Sequence, residues 1–243
     1  MITRNISIVT LCVLAFALIG GPVFAAPPEA ADQPDKLLGG GIVDILEKGG
    51  PVMILILVGS IIALALAFER AVSLRRRTLL PRDLVGALKE AGGDVDRLEQ
   101  AVQDRKGPLA RIVSAGLRRK SLGADAIEAG MEAQGGHEVE RLKRPVRPIA
   151  ILATIQPLLG LLGTILGMIG TFNVLAGTAA AERVEKLAPG IGQALYTTAA
   201  GLCAAIPCVL LFHWLNGRVN RAAEEWSNVG TDVILACRAK EAS

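Results

Sequence analysis

The polar groups with chemical potential in this chain sit where few polar groups belong. Thr164 and Thr171 fall in an apolar run reading PLLGLLGTILGMIGTF from Pro157 to Phe172. Gln193, Thr197 and Thr198 fall in a second run, LAPGIGQALYTTAAGLCAAIP, from Leu187 to Pro207. Neither run contains Asp, Glu, Lys or Arg. Hydroxyls and carboxamides hydrogen-bond, yet they do not titrate near neutrality. Their use would be to line a polar, partly hydrated pathway. The plainer alternative is that each threonine bonds to a carbonyl of its own helix, and at this level both stand. On an ideal helix Thr164 and Thr171 lie about 20° apart, and Thr198, Gly201 and Ala205 form a comparable strip. Gln193 lies about 140° from Thr198 and shares its face with Thr197 instead.

Glycines accompany these groups. Gly160, Gly163, Gly167 and Gly170 recur at spacings of three, four and three, which puts them on one narrow helix face. Glycine lowers helix propensity, and the compensation in membranes is close approach of a second backbone. Gly201 takes the same part in the second run. Such faces locate contacts, and a scaffold that merely assembles a complex would carry them too.

Other chemistry is not indicated. There is no GxxxxGK[ST] phosphate loop and no Ser/His/Asp or Cys/His constellation. His137 and His213 read as surface or interfacial residues. Cys12, Cys203, Cys208 and Cys237 match neither metal nor disulfide spacing. No catalytic residue, metal or cofactor is expected, and no nucleic-acid site, since the basic residues near Arg75 and Arg118 follow from topology. The absence of an inverted repeat weakens a secondary transporter, although a small-solute channel acting alone stays a competitor.

The elements that must position these groups are helices. Of the 243 residues, 51% are hydrophobic but only 3% aromatic, and the apolar ones gather into runs. A soluble core of this size would use more aromatic area. The expected fold is an all-α integral membrane protein, with three transmembrane helices whose long helices extend into a cytoplasmic helical domain, after an N-terminal signal peptide. Arg4, the apolar stretch 6–19 and Val23-Phe24-Ala25 make residues 1–25 the signal peptide, with an uncleaved membrane helix as the alternative. Residues 26–50 form an extracytoplasmic linker and interfacial helix, and 51–69 the first span. Residues 70–148 make the cytoplasmic domain, broken at Pro81, Gly92-Gly93, Gly107-Pro108, Gly123 and Gly135-Gly136. Spans two and three cover 149–175 and 191–215, joined by a periplasmic loop at 176–190, and 216–243 is a cytoplasmic tail. Orientation follows from seventeen Lys and Arg between 69 and 148, against Arg183 and Lys186 alone in the later loop. Pro157 and Pro207 remove backbone donors within spans two and three.

PLLGLLGTILGM and APGIGQALYTTAAGLCAAIP, in this order, resemble the hallmark segments of the MotA/TolQ/ExbB proton-channel family, most nearly its ExbB/TolQ branch. The resemblance covers roughly residues 41–220. It implies an energy-converting subunit of the bacterial inner membrane, with the mature N-terminus periplasmic and the C-terminus cytoplasmic. It also implies a pentameric ring of this chain around single-span ExbD- or TolR-like helices that bring an intramembrane aspartate. A TonB- or TolA-like protein would carry the work to the outer membrane. The family's pore-lining hydroxyls carry over to Thr164 and Thr198. One position departs: Gln193 stands where the ExbB/TolQ pattern has glutamate. A glutamine cannot titrate, so the departure assigns any titratable intramembrane group to the partner.

Overall fold

The computed structural model describes residues 42–74, 79–103, 105–176 and 183–241, and every regular element among them is helical. The expected signal peptide and residues 26–41 of the linker lie outside the described residues, as do 177–182 of the expected periplasmic loop. In chain order the helices are α1 (Ile42–Ser73), α2 (Arg82–Glu90), α3 (Val95–Val102), α4 (Pro108–Leu117), α5 (Ala124–Lys143), α6 (Arg147–Ala176) and α7 (Arg183–Glu241). Three stretches, within Gly50–Ser73, Ala124–Leu175 and Leu187–Lys240, are long and apolar enough to cross a membrane. The chain forms two compact units. Among the described residues, one holds those up to Ala65 together with those in Pro148–Leu211, and the second holds those in Leu66–Arg147 with those from Phe212 onward.

The first unit inverts the usual soluble pattern. Its interior is small and its exterior large. Val52, Ile56 and Ala204 pack with Leu159 and Ala200, and Ala63, Ala153 and Cys208 pack with Leu152. Meanwhile Ile54, Leu55, Ile61, Leu158, Leu161, Ile165, Ile169, Leu195, Leu202 and Ile206 point outward. In water that surface would aggregate; in hydrocarbon it is the natural solvent face. Helix α1 bends where the sequence places a break. Gly50 takes φ 67° and ψ −170°, a conformation open to a residue without Cβ. Pro51 follows it, and the helix resumes.

In the second unit apolar stripes close a helical core. Leu84 and Leu88 on α2, Leu98 and Val102 on α3, Leu109, Ile112, Val113 and Leu117 on α4, and Ile127 and Met131 on α5 are all buried. Helices α4 and α5 cross closely through two glycines. A Cβ on Gly130 would stand 2.9 Å from the Ala115 oxygen and 3.1 Å from the Gly116 Cα. Asp94 caps α3 by accepting from the Asp96 and Arg97 N–H groups, and its other oxygen accepts from Lys240 at 2.7 Å.

One sequence expectation needs correction here. Helix α5 runs unbroken through Gly135-Gly136. Each glycine weakens a helix by about 1 kcal/mol, too little to interrupt one held by buried Ile127, Met131 and Glu138 on either side. Helix α7 runs on past residue 215 to Glu241, for 59 residues in all. Its buried residues Leu215, Val219, Ala222, Trp226, Val229, Val233 and Cys237 keep spacings of three and four. The Trp226 Nε1 donates to the Leu79 carbonyl at 2.9 Å, and the Arg218 guanidinium donates to the Leu74 carbonyl and covers the Trp214 ring at 5.0 Å.

Among the described residues, the one buried charge of this unit's core is Glu138, its side chain 3% exposed. Arg111 donates to both carboxylate oxygens at 2.6 Å, and Gln134 donates at 3.1 Å. The Arg111 hydrogen bonds hold the Glu138 carboxyl below the usual glutamate range, against the opposing effect of burial. A lowered native pKa means stability that is present above the ordinary carboxyl pKa and lost as pH falls through the native value. Melting temperature followed by circular dichroism in detergent is expected to drop below pH 4.5, and Glu138→Gln should flatten that acid limb. Arg111→Ala should destabilise at neutral pH by about 1–3 kcal/mol, because it strands a buried carboxylate.

Candidate functional site

Helices α6 and α7 meet along a seam whose partners run in opposite directions. Gly167 faces Ala194, Gly163 faces Thr197, and Gly160 faces Thr197, Thr198 and Gly201. The approach is close enough that side chains would not fit. A Cβ on Gly163 would lie 2.5 Å from the Thr197 Oγ1, and one on Gly201 would lie 2.7 Å from the Gln156 oxygen and 2.9 Å from the Gly160 Cα. Gly170 differs from its three companions, since a Cβ there meets nothing within 4 Å in this chain.

The threonines divide by environment. Thr197 is 1% exposed and donates to the Ala194 carbonyl at 2.8 Å, inside the seam. Thr198, half-buried, donates across the seam to the Gly160 carbonyl at 3.1 Å and so ties α7 to α6. Thr164 is also half-buried and donates to the Leu161 carbonyl at 2.6 Å. Thr171 is buried, donates to the Gly167 carbonyl at 2.8 Å, and occupies the space left by Gly190. Gln193 reaches toward α1: its amide nitrogen lies over the bend of that helix, where a Cβ on Gly50 would come within 2.5 Å of it.

A common feature emerges from these bonds. The hydroxyl hydrogens of Ser60, Thr154, Thr164, Thr171, Thr197 and Thr198 are all donated to backbone carbonyls. What each hydroxyl has left is a lone pair. Wherever such an oxygen meets an incoming group, it acts as an acceptor, which suits a hydrogen-bond donor or a cation rather than an anion. The sequence pattern showed where the hydroxyls lie; only the bonds reveal this polarity.

Sequence inspection missed Gln156, which is 0% exposed. Its Nε2 donates to the Ile56 carbonyl at 3.2 Å and to the Ser60 Oγ at 3.4 Å, and Gly59 leaves the room it needs. The signal was available: a second glutamine in an uncharged apolar run carries the same desolvation cost as Gln193. Among the described residues no group of His, Cys, Asp and Glu could hold a metal ion, and none of Cys203, Cys208 and Cys237 is in a disulfide.

The seam separates the glycines experimentally. Gly163→Ala and Gly201→Ala should each destabilise the protein by about 1–3 kcal/mol through overpacking. Gly170→Ala should leave stability unchanged or raise it by up to about 1 kcal/mol. Thermal unfolding in detergent reads all three, and equal losses at the three positions would contradict the seam as described.

Comparison with known proteins matches this architecture. The description MotA/TolQ/ExbB proton channel family fits residues 104–228, which include α6 and the seam half of α7. The chain is 33% identical to a biopolymer transport protein of Synechocystis named ExbB-like 1, over 81% of this chain and 79% of the relative. It is 32% identical to the Tol-Pal system protein TolQ of Haemophilus influenzae, over 73% of this chain and 83% of TolQ. With the biopolymer transport protein ExbB of Salmonella typhimurium it shares 28% identity, over 76% and 79%. A membrane protein with three apolar helices, a glycine seam and neutral polar lining, the chain belongs to the MotA/TolQ/ExbB proton channel family.

Proposed function

We propose that this chain is the ExbB-like subunit of an inner-membrane complex that uses the proton gradient to power TonB-dependent transport across the outer membrane. Five copies form a ring around an ExbD-like, single-span partner. The partner carries the intramembrane aspartate, and a TonB-like protein conveys the work outward. The mature N-terminus is periplasmic and the C-terminus cytoplasmic. The observation that carries this reading is a seam lined by neutral oxygens whose hydrogens are already donated inward. An acceptor surface of this kind receives a protonated carboxyl, a water or a hydrated proton, and itself has no group to ionise. A carboxylate at the bilayer centre costs at least about 2.5–3.5 kcal/mol, and an acceptor lining favours the protonated, donating form of that carboxyl over the ionised one. Gln193 hydrogen-bonds without changing charge, so proton uptake falls to the partner.

A TolQ-like role in envelope maintenance is the second reading, favoured by the 32% identity to the Haemophilus TolQ. Both roles predict the same behaviour at the seam. Thr164→Val and Thr198→Val should each lower gradient-driven work about fivefold, the equivalent of one hydrogen bond of about 1 kcal/mol, with the oligomer intact on native gels. Thr198→Val also removes a bond between helices, so Thr164→Val is the cleaner probe. Gln193→Glu tests the departure from the family's glutamate, and loss of coupling there would mean that the site is retuned for a neutral group. Wild-type activity in all three variants would remove these residues from the pathway.

A further inference from the structure

The Gln156 carboxamide is committed on one side only. Its orientation follows from chemistry, because the Ile56 carbonyl is purely an acceptor and therefore faces the amide nitrogen. The Ser60 hydroxyl donates its hydrogen to that same carbonyl, at 2.8 Å, so it too receives from Gln156 rather than giving. The opposite atom, Oε1, is buried and has no hydrogen-bond partner among the described residues. A buried acceptor without a partner carries a penalty of about 1–3 kcal/mol, and such groups are rare in native proteins.

A second acceptor lies on the same face of α6. Pro157 has no N–H, so the Ala153 carbonyl, four residues earlier, lacks its helical donor. Ala153 is itself buried, packed with Ala63 and Cys208. Residues 153 and 156 are three apart, adjacent on a helix surface. The nearby Cys208 thiol is only a weak donor. Two acceptors facing a small-residue interior select a ligand with two donors. A dehydrated metal cation would need about six oxygens, which two acceptors do not supply, whereas a water is held by two to four polar partners.

We propose that Gln156 and the Ala153 carbonyl hold one ordered water molecule inside the first unit, on the α1 side of α6. The water donates one hydrogen to Gln156 Oε1 and the other to the Ala153 oxygen. The site is distinct from the threonines of the α6–α7 seam, and it rests on the α1–α6 contact rather than on any assignment of function.

The test is solid-state NMR of the full-length protein in lipid bilayers, labelled with [15N]glutamine. The chain has six glutamines, and Gln156→Met identifies the Gln156 side-chain signal by its loss. Should that variant fail to fold, [13C,15N]glutamine with [15N]proline labelling selects the two Gln–Pro pairs, Gln33–Pro34 and Gln156–Pro157, and Gln33→Asn removes the first. Magnetisation transfer from water to the Gln156 side-chain amide, despite its burial, is the expected result. A Gln156 amide as dry as the backbone amides of Leu152 and Leu159 overturns the proposal. Loss of gradient-driven activity in the wild-type protein would count against the energiser function alone and leave this measurement to decide the water.

Discussion

Everything in the first unit depends on how closely α6 and α7 approach. Between helices in hydrocarbon, large apolar side chains gain little over lipid, so association comes from backbone proximity, packing and hydrogen bonds. Gly160, Gly163, Gly167 and Gly201 allow that proximity, and Thr198 adds a bond across it to the Gly160 carbonyl. Many large residues lie on the outside as a consequence, and the interior holds alanine, glycine, threonine and Gln156 beside Val52, Met53, Ile56 and Ile149. A polar interior is therefore a by-product of the packing rule as much as an addition to it. Helix α1 joins this arrangement by the same means, with Gly59 admitting Gln156 and Gly50 admitting Gln193.

Neutrality is the second consequence. With no Asp, Glu, Lys or Arg in 149–175 or 191–215, the seam has nothing to ionise and no full charge to repel an arriving cation. Its hydroxyls are fixed as acceptors by their own backbone bonds, a preorganisation that needs no reorientation when a donor arrives. Charge is instead concentrated in the second unit. There, Glu138 with Arg111 closes the interior, while Lys240 with Asp94, and Arg238 with Asp125 and Glu128, lie on exposed surfaces where such pairs are worth little.

Much of this was legible in the sequence, for reasons that are themselves physical. Long uncharged runs and a three-four glycine period survive averaging along a helix, so the apolar stretches and the candidate seam residues could be read directly. What escaped depended on contacts between distant positions. Gln156 lies 100 residues from the Ile56 carbonyl it reaches, and no local pattern links them. Gly170 belongs to the same period as Gly163, yet it meets nothing in this chain. Periodicity places a residue on a face without saying how far the opposing helix extends.

The central claim is that this chain supplies an acceptor-lined, neutral sleeve and that the titrating group arrives on another protein. Proton flux into liposomes tests it most directly, comparing this chain alone with the chain co-reconstituted with its single-span partner and with that partner's aspartate changed to asparagine. Flux in the second preparation, and in neither of the others, is what the account predicts. Conduction by this chain alone, or flux that survives the asparagine, would contradict it.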